Sequence, residues 1–234
     1  MCDFQKLVDL GTLGHQFGWT KGAGNWSAIN RAISTSQPVQ VIQDCGSDQW
    51  QSQLPVGHLL QFGFPELHEN RPIASARVWI SAIQRRFSKT APKAQWHPRV
   101  LYVGINCSED ATAELIEFAI EQVCRKVHLA TGSIATLATL NPISKGVLSL
   151  NENKSWPLQA FSFEQLSDTQ NTPNVTEALA GLAATEQELI LGEIQDPVIR
   201  VKNTVIERSE LKGQVEIAIA QSFQEYIPLQ DQKL

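Results

Sequence analysis

Residues able to do chemistry gather in the stretch Gly104-Ile-Asn-Cys-Ser-Glu-Asp-Ala-Thr112. Cys107 stands where the apolar run Val100–Ile105 gives way to turn-forming residues and a helix begins. A helix N-terminus lowers a thiol's pKa, so Cys107 is a candidate reactive thiol; a small buried packing residue is the competing reading. Gly104, Asn106 and Thr112 complete the turn. Thr139 and Asn141 close the next predicted strand, and Asn174 falls on the same rim. Together these amides and hydroxyls suit the carboxylates of an acidic ligand. Lys21 sits among Gly18, Gly22 and Gly24. That spacing is only loosely like a phosphate cradle, because it lacks the dinucleotide fingerprint and the Lys-Ser/Thr end of a P-loop; a structural turn and an anion site both stay open.

Other reaction classes find no support. His15, His58, His68, His97 and His128 are scattered, and none pairs at i,i+4 with another His or a suitable Cys, so no metal site is expected. Cys2, Cys45, Cys107 and Cys124 share no CxxC spacing, which excludes a readable zinc site or disulfide framework. There is no GxSxG elbow. No cofactor is implied, and the catalytic base is unknown.

The elements that position these residues follow from periodicity. Val100–Ile105 reads as a strand buried on both faces. The helix after it is expected over 111–127, with Ile116, Ala119, Ile120, Val123 and Val127 on one face and Ser108-Glu109-Asp110 supplying N-cap oxygens. Strands follow at 133–140 and 157–162, with a helix between them ending near Trp156. A helix over 175–188 is capped by Asn174 or Thr176, and a polar loop precedes it at 168–174. Residues 199–206 and 214–220 alternate with period two and form a hairpin. In the first half, 3–16 reads as a helix. Asn25 caps a second helix bearing Trp26, Ile29, Ala32 and Ile33. Strands are expected at 37–43 and 76–81, a short helix or loop at 49–55, and irregular chain at 61–72.

The fold class is therefore α/β: a C-terminal, mostly parallel sheet with helices on both faces and an antiparallel edge hairpin, preceded by a smaller α/β lobe. The expected division is 1–84 for the first lobe, 85–98 for a linker, 99–222 for the second domain and 223–234 for a tail.

Length and composition set outer limits. The 234 residues are 42% hydrophobic and 18% charged, with a net charge of -5. Without a dense basic run, a general nucleic-acid-binding role is excluded. No apolar run approaches the roughly 20 residues of a membrane span, and no secretory signal pattern opens the chain. A cytoplasmic protein with reduced thiols is expected.

Tyr102-Val-Gly-Ile-Asn-Cys107, followed by Thr112-Ala-Glu-Leu-Ile116, resembles the VGIGC…TSAEEI opening of the C-terminal domain of the CbiG family of cobalamin biosynthesis. The same domain stands alone in CobE proteins. The resemblance continues in order through Ile134–Leu140, Leu158–Ser162, Asn174–Ala178 and Val215–Ala220. Phe17–Trp26 and Pro38–Gln43 resemble the end of the family's N-terminal domain and its middle region. The resemblance implies cobalt-precorrin-5A hydrolase activity, in which water opens a δ-lactone on the macrocycle and acetaldehyde leaves. Such chemistry needs a general base and donors for the developing oxyanion. It also implies a cobalt-precorrin or precorrin tetrapyrrole as partner, and a precorrin methyltransferase as a possible neighbour. Two features depart from the pattern. Asn106 stands where the family usually has Gly, and Ser108-Glu109 replaces a basic pair. The family's His-Gly-Gly-Ala-Asn segment has no counterpart in this sequence, which implies a truncated first region and leaves open a non-catalytic tetrapyrrole-binding or carrier module.

Overall fold

The computed structural model describes residues 9–64, 73–154, 156–167, 174–191 and 196–224. The chain divides into two compact units, Met1–Arg99 and Val100–Leu234.

In the first unit, alternating large apolar residues build a five-stranded sheet. Its strands are β1 (Thr20–Gly24), β2 (Val39–Gln43), β3 (Leu60–Phe62), β4 (Ala76–Ile80) and β5 (Lys93–His97), in the order β1-β5-β4-β2-β3. The strands β5, β4, β2 and β3 run parallel, and β1 is antiparallel to β5. Helix α1 (Trp26–Ser34) begins as expected, with Ala28 N–H donating to Asn25 Oδ1 at 3.1 Å. It packs Ile29 and Ala32 against Val39, Val41, Val78, Ile80 and Trp96.

Three expectations for this unit change. The segment 85–98 is not a linker throughout: Lys93–His97 forms β5, an interior strand whose Ala94, Gln95, Trp96 and His97 are all buried. Its polar members conceal it, because Gln95 and His97 face the side of the sheet that the chain after β4 covers. Arg85 N–H donates to Gln95 Oε1 at 3.0 Å, Gln95 Nε2 returns a bond to Arg85 O at 3.0 Å, and Phe87 stacks on Trp79. Leu60–Phe62 is an edge strand, although 61–72 reads as irregular; 65–72 lie outside the described residues. The helix expected over 3–16 falls partly outside them too, and from residue 13 the chain forms a single 3-10 turn, Leu13–Phe17. At 49–55 the short-helix alternative holds, as a 3-10 turn over Gln49–Gln53.

The second unit follows the predicted order. Its elements are β6 (Leu101–Cys107), α2 (Ala113–Lys126), β7 (Ile134–Leu140), α3 (Lys145–Lys154), β8 (Leu158–Phe161), α4 (Phe163–Ser167), α5 (Val175–Leu191), β9 (Val198–Glu207) and β10 (Gln214–Gln221). The sheet order is β8-β7-β6-β10-β9. The strands β6, β7 and β8 are parallel, and β10 lies antiparallel to both β6 and β9. Tyr102, Ala138, Phe161 and Ala220 pack with Ala178, Leu179, Ala183 and Ala184 of α5. By alternation, Leu101, Val103 and Ile105 point to the opposite face, where α2 packs on α3 and against β10. The polar loop at 168–173 and the tail beyond 224 lie outside the described residues.

Helix α2 starts two residues later than expected. Thr112 is its N-cap, accepting from Leu115 N–H at 3.2 Å. The Ser108 hydroxyl is engaged elsewhere, accepting from Gln214 N–H at 2.9 Å and donating to Asp110 Oδ1 at 2.8 Å.

Gly104 permits the closest approach in this unit. A Cβ there would run into the carbonyl of Thr176 in the first turn of α5. Gly181, on the same helix, has open space where a methyl group would be added. Gly104→Val should therefore destabilise the protein by about 1–3 kcal/mol through overpacking. Gly181→Ala should stabilise it by up to about 1 kcal/mol through helix propensity. Urea unfolding followed by circular dichroism checks both, and the two midpoints should move in opposite directions.

Candidate functional site

The carboxyl ends of parallel strands are the natural place for a ligand in such a sheet. In the second unit this edge is formed by β6 and β7, with Gly104 opposite Ala138 and Ile105 opposite Thr139. Strand β10 extends it, with Asn106 opposite Glu216 and Cys107 opposite Val215. Alternation then divides the predicted residues between two faces.

Gly104, Asn106 and Asn174 lie on the α5 side. The space beside Gly104 is filled by the Thr176 carbonyl, so this glycine serves helix packing and offers no room for a ligand. Asn106 is half-buried, and its Nδ2 donates to Glu216 Oε2 at 3.4 Å. Asn174 Oδ1 accepts from both the backbone N–H (2.9 Å) and the hydroxyl (2.7 Å) of Thr176. The Thr176 hydroxyl is also 2.8 Å from the side chain of Asn203 on β9. A hydroxyl has one proton, and Asn174 Oδ1 can only accept. The Asn203 amide is therefore assigned with its NH2 toward Thr176, whose hydroxyl accepts from it. The backbone N–H of Asn203 donates to Glu177 Oε1 at 2.9 Å. These bonds tie the start of α5 to β9.

Cys107 and Thr139 lie on the other side. Cys107 Sγ is 3.2 Å from Ser144 Oγ, and that hydroxyl accepts from Val147 N–H at the start of α3. Burial pushes the Cys107 thiol up, and the Ser144 hydrogen bond offsets part of this. The lowered pKa expected from a helix terminus is thus reversed, because the loss of water on burial is the larger effect. Thr139 is buried. Thr112 is taken up as the α2 cap. Asn141 is exposed before the cis Asn141–Pro142 bond, and its N–H donates to Phe161 O at 2.9 Å. Lys21 belongs to the first unit. Its ammonium donates to Gly11 O at 2.6 Å and lies 4.8 Å from the centre of the Trp26 ring.

The structure adds residues that sequence reasoning missed. On the α5 rim these are Thr176, Glu177, Asn203 and Glu216. In the first unit, a polar cluster caps the carboxyl ends of β2, β4 and β5. Ser81 Oγ donates to Asp44 Oδ2 at 2.8 Å and accepts from Arg85 Nη1 at 3.0 Å, while His97 Nδ1 lies 2.9 Å from Ser81 O. The available signal was a polar residue following each apolar strand; it goes unseen when β5 is read as linker. Among the described residues, no group of three or more His, Cys, Asp or Glu is placed to hold a metal ion. No helix among them is long and apolar enough to cross a membrane.

Comparison with known proteins places these units. A family model described as the cobalamin synthesis G C-terminus matches residues 101–220, and one described as the cobalamin biosynthesis central region matches residues 9–98. The chain belongs to the CbiG family. A curated relative, the cobalt-precorrin-5A hydrolase of Priestia megaterium, is 22% identical over 182 residues, covering 71% of this chain and 49% of that protein. The CbiG-family chain thus spans about half the length of this curated relative. Among solved structures it is similar to a cobalamin biosynthesis protein G homologue from Sulfolobus solfataricus (17% identity, TM-score 0.41, 92% of this chain and 60% of that one). It is also similar to CobE, a protein from the cobalamin biosynthetic pathway (17% identity, TM-score 0.43, 52% of this chain and 89% of that one).

The thiol environments order the cysteines by reactivity. Cys124 is pushed up to about 12, by burial first and by Glu121 second. Alkylation by iodoacetamide, mapped by mass spectrometry, should modify Cys107 before Cys124. The Cys107 rate should keep rising with pH through about 9, the range of an unactivated or raised thiol. Rapid modification of Cys107 below pH 7 would contradict the raised thiol.

Proposed function

We propose that this CbiG-family protein acts on a cobalt-precorrin intermediate, and that its reaction is the hydrolysis of cobalt-precorrin-5A with lactone opening and loss of acetaldehyde. The observation that carries this reading is the match of two family models in sequence order, central region then C-terminus. The activity named for the Priestia megaterium relative supports the choice of reaction. The α5 rim supports it chemically. Asn106 brings an amide whose second N–H can donate to an acyl oxygen. Glu216 and Glu177 bring carboxylates able to orient or deprotonate water.

A second reading is a non-catalytic tetrapyrrole-binding or carrier module, or a partner of a precorrin methyltransferase. One observation favours it: Asn174, Thr176, Asn203 and Glu177 already bond to each other, so the rim presents a shaped surface more than a poised base.

Anaerobic incubation of purified protein with cobalt-precorrin-5A separates the two. The hydrolase reading expects acetaldehyde in step with substrate loss, and turnover about tenfold lower or worse in Asn106→Ala. Quenching of tryptophan fluorescence by the same compound, without acetaldehyde, would select the binding module. Neither response would remove both readings.

A further inference from the structure

His97 ends β5 with its imidazole buried, at 2% exposure. Its Nδ1 is 2.9 Å from the carbonyl of Ser81, an acceptor only, so Nδ1 carries the proton and Nε2 is the bare nitrogen. That Nε2 is fully enclosed and has no hydrogen-bond partner. It is packed against Gly22 of β1, where a Cβ would collide with it. The neutral ring fits this pocket; the protonated ring would bring an N–H with no acceptor.

The surrounding charges make the cation less welcome still. From β1, His97 meets Gly22 and is paired in register with Thr20, both uncharged. Lys21 is held by Gly11 O and lies over Trp26 and Trp96. From β4 comes the neutral Ser81 carbonyl. The chain after β4 brings the Arg85 guanidinium, which repels a second cation. Asp44, the carboxylate of this cluster, already accepts from Ser81 and lies 3.9 Å from Arg85. Burial accordingly holds the imidazole below its ordinary range. Among the described residues β1 is the sheet's outer strand and pairs only with β5, so it is the element that can yield.

We propose that His97 is an acid-sensitive latch: neutral, it keeps β1 docked on β5, and protonated, it releases β1 from the sheet edge. The latch is independent of the reaction proposed above. The sign follows from proton linkage. The released state binds one proton more than the docked state, so docking is full above the free imidazole's pKa of about 6.5 and is lost progressively below it.

Hydrogen exchange of the β1 amides between pH 5 and 7.5, corrected for intrinsic rates, tests the latch. In the native protein, β1 opening should grow with acid by up to about tenfold per pH unit below about 6.5. His97→Asn keeps a donor near the Nδ1 position and cannot titrate, so its β1 opening should be flat over this range. Strand β7 should stay protected in both proteins. An equal acid response in His97→Asn, or none in the native protein, would overturn the proposal. If His97→Asn does not fold, the imidazole titration of the native protein by NMR decides instead: titration at or above about 6.5 overturns the latch, and titration below it supports the latch.

Discussion

The second unit depends on a missing side chain. Because Gly104 presents only backbone, the first turn of α5 can lie directly on β6. That contact places Thr176 where it reaches both Asn174 and Asn203, and Asn203 where it meets Glu177. Helix α5 is rich in alanine on its inner side, at Ala178, Ala180, Ala183 and Ala184, all buried. Small residues on the helix and a glycine on the strand act together, drawing the helix closer than leucine or valine would permit. The amide-rich rim is a consequence of this spacing.

The first unit solves a different problem. One face of its sheet is covered conventionally, by α1 and a cluster of tryptophans and aliphatic residues. The other face carries Gln40, Ser81, Gln95 and His97, all buried polar residues. No helix is needed over this face where the chain after β4 crosses it, because Arg85 and Phe87 bond to and stack on what lies beneath. Buried polar groups are tolerable only when paired, and most here are.

Periodicity made most of the second unit legible. Val103 and Ile105 mark a buried strand, Thr112 and the 3.6-residue spacing after it mark a helix, and the parallel pairing of β6 with β7 follows from the connection between them. The site was less legible for the same reason. Cys107 and Asn106 are adjacent in sequence, and adjacency in a strand means opposite faces, so a set of nearby polar residues mixes two surfaces. Asn203 could not be found at all, since only the folded hairpin brings it to α5. Strand β5 was hidden because its polar residues face a polar covering, and no hydrophobic pattern records such an arrangement. The CbiG resemblance reached further than any single motif, since it rests on the order of many short matches.

The sheet order of the second unit also constrains how it is made. Strand β10, the last of the described strands, sits between β6, the first of this unit, and β9. During synthesis the ribosome delivers β6, β7 and β8 early, with one edge of β6 open until residues 214–221 emerge. The nascent chain therefore carries an unpaired apolar strand edge for most of this unit's translation, the kind of surface that chaperones bind.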